Sequence, residues 1–133
     1  MMLAIADTHA IIWYLLNDPR LSTTARAIFD DAVTRSDPVG IPAISIVEIV
    51  YLTEKRRIPP AALQQLKQEL LTGQAVLKLI PLTEEIALRV QTVARSAIPD
   101  MPDRIIAATA LYFNLPLISR DRKIQASNIN TIW

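Results

Sequence analysis

The chain has no cysteine. That excludes disulfide stapling, zinc–thiolate centres and a thiol nucleophile. His9 is its only histidine, so a Ser-His-Asp triad, or a site with several imidazole ligands, has almost nothing to be built from. Glycine is scarce, at 2 residues, and 51% of the chain is hydrophobic; disorder and low complexity are set aside. Charge of one sign is missing too. The 14 Lys and Arg against 13 Asp and Glu leave a formal net of +1, which argues against wholesale coating of nucleic acid. Local basic residues beside an acidic site can still hold a phosphate backbone. No apolar run approaches the roughly 20 residues a bilayer span needs, so no membrane role is expected. With no disulfides and no signal-like N-terminus, a cytoplasmic home is the default expectation.

What is present is an alternation of short apolar runs and amphipathic segments over 133 residues. The length fits one domain, 1–133, with no repeat or linker. Leu3 to Ala6 reads as a buried strand ending at Asp7, followed by an apolar helix from Thr8 to Leu16. Ser22-Thr23-Thr24 opens a second helix to about Arg35. Val39 to Ala43 reads as a strand, and about Ser45 to Lys55 as a helix. Pro59-Pro60 starts a fourth helix, which Gly73 ends. Val76 to Ile80 is a third strand, and Thr83-Glu84-Glu85 opens a helix to about Ser96. A tight entry, Pro99 to Asp103, leads into the helix Arg104 to Phe113, closed by Asn114. Leu117 to Ser119 and Ile129 to Trp133 complete five strands. The expected class is a three-layer α/β/α architecture with a mostly parallel five-stranded sheet.

On that reading Asp7, Glu48, Asp103 and Asp121 all fall at one sheet edge, the carboxyl ends of the strands, where open α/β sheets bind ligands. Four carboxylates meeting there repel one another; two unit charges about 4 Å apart cost on the order of 4 kcal/mol at an effective dielectric near 20. A divalent cation is the usual remedy and points to hydrolytic chemistry. Each acid also has an ordinary structural explanation. Asp7 can be a helix N-cap. Ser45 to Glu48 fits a capping box. Asp103 in a first helical turn suits the dipole, and Asp121 can open a turn before Arg122-Lys123. Asp100 reads as the cap that presents Asp103, or as a group behind it. His9, two residues after Asp7, points away from the site if the strand continues. Trp13, Tyr14 and Tyr112 read as core or interface residues. Arg104, Arg120, Arg122 and Lys123 cluster around two of the acids, either as screening salt bridges or as phosphate contacts, with Arg104 and Arg120 preferred because they adjoin Asp103 and Asp121.

At these residues the chain resembles a known family. Asp7-Thr8-His9-Ala10 after an apolar strand, Ser45-Ile46-Val47-Glu48, Asp103-Arg104-Ile105-Ile106-Ala107-Ala108-Thr109-Ala110 and Leu117-Ile118-Ser119-Arg120-Asp121 look like the motifs of PIN-domain ribonucleases, and among those of VapC-type toxins of toxin–antitoxin pairs. The likeness runs over nearly the whole chain, to the closing Thr131-Ile132-Trp133. It implies an acidic pocket for Mg²⁺ or Mn²⁺, endoribonuclease activity on single-stranded RNA, a homodimer, and a small cognate antitoxin whose tail covers the pocket. Asp7, Glu48, Asp103 and Asp121 would be the metal-binding, catalytic acids, with Thr8 and Ser119 supporting them. A cation-activated water would attack phosphorus in line and leave a 5′-phosphate and a 3′-hydroxyl. The aliphatic stretch from Ser45 to Leu71 is either a groove for a partner helix, with Tyr51 and Leu52 as contacts, or core packing alone. Two other readings compete from the same residues. One is a catalytically silent RNA-binding or dimerisation module. The other is a phosphotransfer site, which lacks the second acid after the first strand; a dehalogenase-type phosphatase wants an aspartate where His9 stands.

Overall fold

Five short apolar runs pair into a parallel sheet in the order β3-β2-β1-β4-β5. The strands are β1 (Ala4–Ala6), β2 (Val39–Pro42), β3 (Leu77–Ile80), β4 (Leu117–Ile118) and β5 (Thr131–Ile132). The structure is a computed structural model describing residues 1–72 and 76–133. The expected helix end at Gly73 lies outside the described residues. Parallel pairing requires each connection to cross a face of the sheet. The crossings are α1 (Thr8–Leu15), α2 (Thr23–Arg35), α3 (Ala43–Glu54), α4 (Pro60–Leu71), α5 (Glu84–Arg89), α6 (Met101–Phe113) and α7 (Arg122–Gln125).

Strand side chains alternate between faces, and that alternation divides the core in two. Ala4, Ala6, Val39, Ile41, Leu77 and Ile118 face one way, against Ile11 and Ile12 of α1, Phe29 of α2, Ile49 of α3 and Leu66 of α4. Ile5, Leu117 and Ile80 face the other, against Ile86 of α5, Ile106 and Ala110 of α6, and Ile124 of α7. The result is the expected three-layer architecture, with every strand pair parallel.

Three local expectations need correction. The helix expected to reach Ser96 stops at Arg89 and gives way to a 3-10 turn, Val90–Thr92, before Val93 turns extended. The Arg104 guanidinium is the cause: it donates to Val90 O (3.0 Å) and twice to Val93 O (2.8 and 3.1 Å), drawing the chain out of helical register. α6 begins at Met101 rather than Arg104, because Asp100 caps it by accepting from the Asp103 amide at 3.1 Å. Asp121 opens not a bare turn but the one-turn helix α7.

Candidate active site

The exit of β1 places Asp7. Its carboxylate accepts from the Ala10 amide at 2.9 Å and so caps α1. The capping role and the site role coexist, since the same buried side chain also lines the pocket. Glu48 arrives differently. α3 starts directly off β2 at Ala43, with Pro42 as its cap residue and no side-chain cap bond. Ser45 is therefore fully buried inside the first turn, and the capping-box reading fails. Glu48 extends from the second turn, where it takes a hydrogen bond from the Thr8 hydroxyl. Thr8 Oγ1 also lies 3.1 Å from Ser45 Oγ. A threonine hydroxyl has one proton, and an ionised carboxylate can only accept; Thr8 donates to Glu48, and Ser45 in turn supports Thr8.

α6 runs back toward β4, so its N-terminus and Asp103 stand at the edge where the strands end. β4 leads into buried Ser119, whose hydroxyl accepts from the Asp121 amide at 3.1 Å. Asp121 accepts from Lys123 N (2.8 Å) and Ile124 N (3.1 Å). The four acids come from four separate segments, and a single pocket of about 370 Å³ holds them all, together with Thr8, His9, Trp13, Asp100 and Arg120.

The electrostatics follow from that crowding. Burial pushes the Asp103 carboxyl up to about 7, and Asp100, Asp121, Glu48 and Asp7 push it the same way. Burial also raises Asp7, opposed by Ser119, the Ala10 amide and His9. Glu48 is raised by burial, with the Thr8 hydrogen bond working against it and Asp100 adding to it. Among the described residues no ion pair involves any of these acids. Arg120 stands beside them but rests on the Trp13 ring, 4.5 Å from its centroid, and Arg20, fixed by Asp18, approaches the same ring at 5.2 Å.

This donor set suits a hard divalent cation. It is dominated by carboxylate and hydroxyl oxygens, and among the described residues none of its acids is ion-paired with a protein cation. Among the described residues, no three His, Asp or Glu side chains stand close enough as they are to grip one ion together.

Arg104 lies away from the site, its guanidinium engaged with the Val90 and Val93 carbonyls; like Ser119, Arg122 and Lys123, it does not line this pocket. His9, Trp13 and Asp100 are lining residues that the sequence reading did not place there. The strand does not continue past Asp7, so the condition under which His9 would point away is not met. His9 stands in the first turn of α1, four residues from Trp13, so the two share a helix face, with ring centroids 5.5 Å apart. The helical spacing of 9 and 13 was the available signal.

The family model described as PIN domain matches residues 4–128. Ribonuclease VapC22 of Mycobacterium tuberculosis (strain ATCC 25618 / H37Rv) is 28% identical over 131 residues, covering 95% of this chain and 92% of that protein. Two solved structures share the fold. One is DNA-bound VapBC from Salmonella typhimurium, with a TM-score of 0.70 at 22% identity, covering 98% of this chain and 97% of that one. The other is a toxin–antitoxin complex from Klebsiella pneumoniae, with a TM-score of 0.65 at 24% identity, covering 98% and 96%.

Proposed function

Because the chain belongs to the PIN-domain family, we propose that it is a divalent-metal-dependent endoribonuclease cutting single-stranded RNA, and the toxin of a toxin–antitoxin pair. The observation that carries this is the meeting of Asp7, Glu48, Asp103 and Asp121 in one pocket, with no ion pair to any of them among the described residues. A Mg²⁺ or Mn²⁺ held there would supply Lewis-acid charge for activating water and for stabilising the leaving oxygen. Asp7 and Asp103, with Glu48, would hold it. Asp121 would orient the water or help hold a second ion. Thr8 fixes Glu48 through its hydroxyl, and Ser119 anchors the Asp121 loop.

The partner reading rests on kinship to Ribonuclease VapC22 and on the toxin–antitoxin complexes that share the fold. Val47 and Tyr51, exposed on α3, offer apolar surface to an antitoxin helix or to a second copy in a homodimer. The chain would act in the cytoplasm as one nuclease domain.

The test is charge removal with shape retained. Asp7→Asn, Glu48→Gln and Asp103→Asn should keep the wild-type circular dichroism spectrum yet lose Mg²⁺- or Mn²⁺-dependent cleavage of single-stranded RNA by on the order of 100-fold or more, about 2.7 kcal/mol of barrier. Cleavage that survives all three substitutions, or that persists in EDTA, refutes the reading.

A further inference from the structure

The acidic pocket does not end at Asp103 and Asp121. A second pocket of about 290 Å³ adjoins it and shares Asp100, Asp103 and Asp121 as lining. Its remaining walls are Ile98, Pro99, Arg122 and Lys123. Three carboxylates thus form a ridge between two hollows, each carrying cationic side chains. On the first side Arg120 stands over the Trp13 ring. On the second, Arg122 and Lys123 stand in the one-turn helix α7, exposed to solvent.

Among the described residues none of these three cations forms an ion pair, although carboxylates line the same hollows. Two causes are visible. Trp13 holds Arg120 by its ring face, a contact worth about 0.5 to 2 kcal/mol. Asp121 turns its carboxylate inward onto the Lys123 and Ile124 amides, away from the side chains that follow it. The screening salt bridges anticipated from sequence are absent among the described residues. What remains is a row of negative charge bordered on both sides by positive charge that forms no ion pair among the described residues. A cation suits the centre of such an arrangement, and a chain of regularly spaced anions suits its borders.

We propose that one RNA strand crosses the ridge, with backbone phosphates held by Arg120 on the Trp13 side and by Arg122 and Lys123 on the other. The assignment rests on the nuclease reading above and deepens it: the scissile phosphate sits over the acids, and its neighbours on either side are gripped by the two borders. Arg104 takes no part.

Salt dependence tests it. Each phosphate contact to a single strand contributes about −0.7 to the slope of log K against log salt. Binding of a fluorescent mixed-sequence oligoribonucleotide with Mg²⁺ would be followed on an Asp7→Asn background, so that the probe stays intact. Adding Arg122→Ala and Lys123→Ala should flatten the slope by about 1.4, and adding Arg120→Ala by about 0.7. The swap of Arg122→Lys with Lys123→Arg should keep the parent slope. An unchanged slope in the alanine variants overturns the proposal, as does a slope lost equally in the charge-conserving swap. Wild-type cleavage of the same probe is read in parallel. Cleavage without a change of slope defeats the track alone, whereas no cleavage defeats the nuclease reading beneath it.

Discussion

Asp103 shows how one side chain can register the field of a whole site. Its carboxyl is pushed from 3.8 up to about 7 by burial and by four other acids. Between those values the folded chain keeps a proton that the unfolded chain has released, so stability falls as pH rises through that window and levels off above it. Asp103→Asn removes the charge and keeps the shape. The variant should be more stable than wild type at pH 8 by about 1 to 2 kcal/mol, after discounting for partial exposure and solvent screening. At pH 4 the difference should vanish. Urea titrations at the two pH values read this directly, and an equal difference at both would show that burial of the Asp103 charge beside the other acids is not the cause. The same sign suits the proposed function: a cation bound there would take over the charge compensation that the Asp103 proton supplies.

At the scale of the element, the bend between α5 and α6 is written by a side chain that sits well downstream. Arg104 leaves α6 beside Asp103 but on another face, because successive helical residues do not face the same way. It reaches the carbonyls at the end of the 3-10 turn. Those bonds tie α5 to α6 and let Val93 and Ile98 close the second core cluster. Arg104→Ala should cost about 1.5 to 3 kcal/mol, as for hydrogen bonds made by a charged group, in thermal or urea unfolding. Lysine should rescue it poorly, since an ammonium lacks the planar fork that reaches two carbonyls. A fully stable Arg104→Lys would contradict this account of the bend.

For the whole molecule the critical dimension is how closely α-covered strands can stack their side chains at the centre of the sheet. β2 carries Gly40 where a Cβ would come 2.7 Å from Ile5 Cδ1, 3.0 Å from Met2 Sδ and 3.1 Å from Ile80 Cγ1. Ile5 is fully buried and has little room to retreat. Gly40→Ala should overpack this face by about 1 to 3 kcal/mol, lowering the melting temperature. If the sheet bends to absorb it, the site moves as well, because β1 and β2 deliver Asp7 and α3. A neutral Gly40→Ala would mean that the interior is looser than its packing indicates.

The amino-acid sequence by itself determined the class, the strand and helix order, and the edge where the acids gather. An apolar run that stops at an acid marks a strand exit, and in a parallel sheet all such exits share one side. Asp7 and Asp121 were readable in that way, and Asp103 through its place at a helix start. Only the tertiary structure decided where a helix points its side chains. Each residue turns a helix by about 100°, so an uncertain start swings every following side chain. α3 begins at Ala43 rather than near Ser45, which removes the capping-box alternative for Glu48 and leaves the pocket reading. His9 lines the pocket from the first turn of α1, a direction that the expected helix from Thr8 did not by itself specify. The sorting of the basic residues, with Arg104 bound to carbonyls, Arg120 on Trp13, and Arg122 and Lys123 on an adjoining hollow, depends on groups distant in the chain, and proximity along the sequence does not encode it.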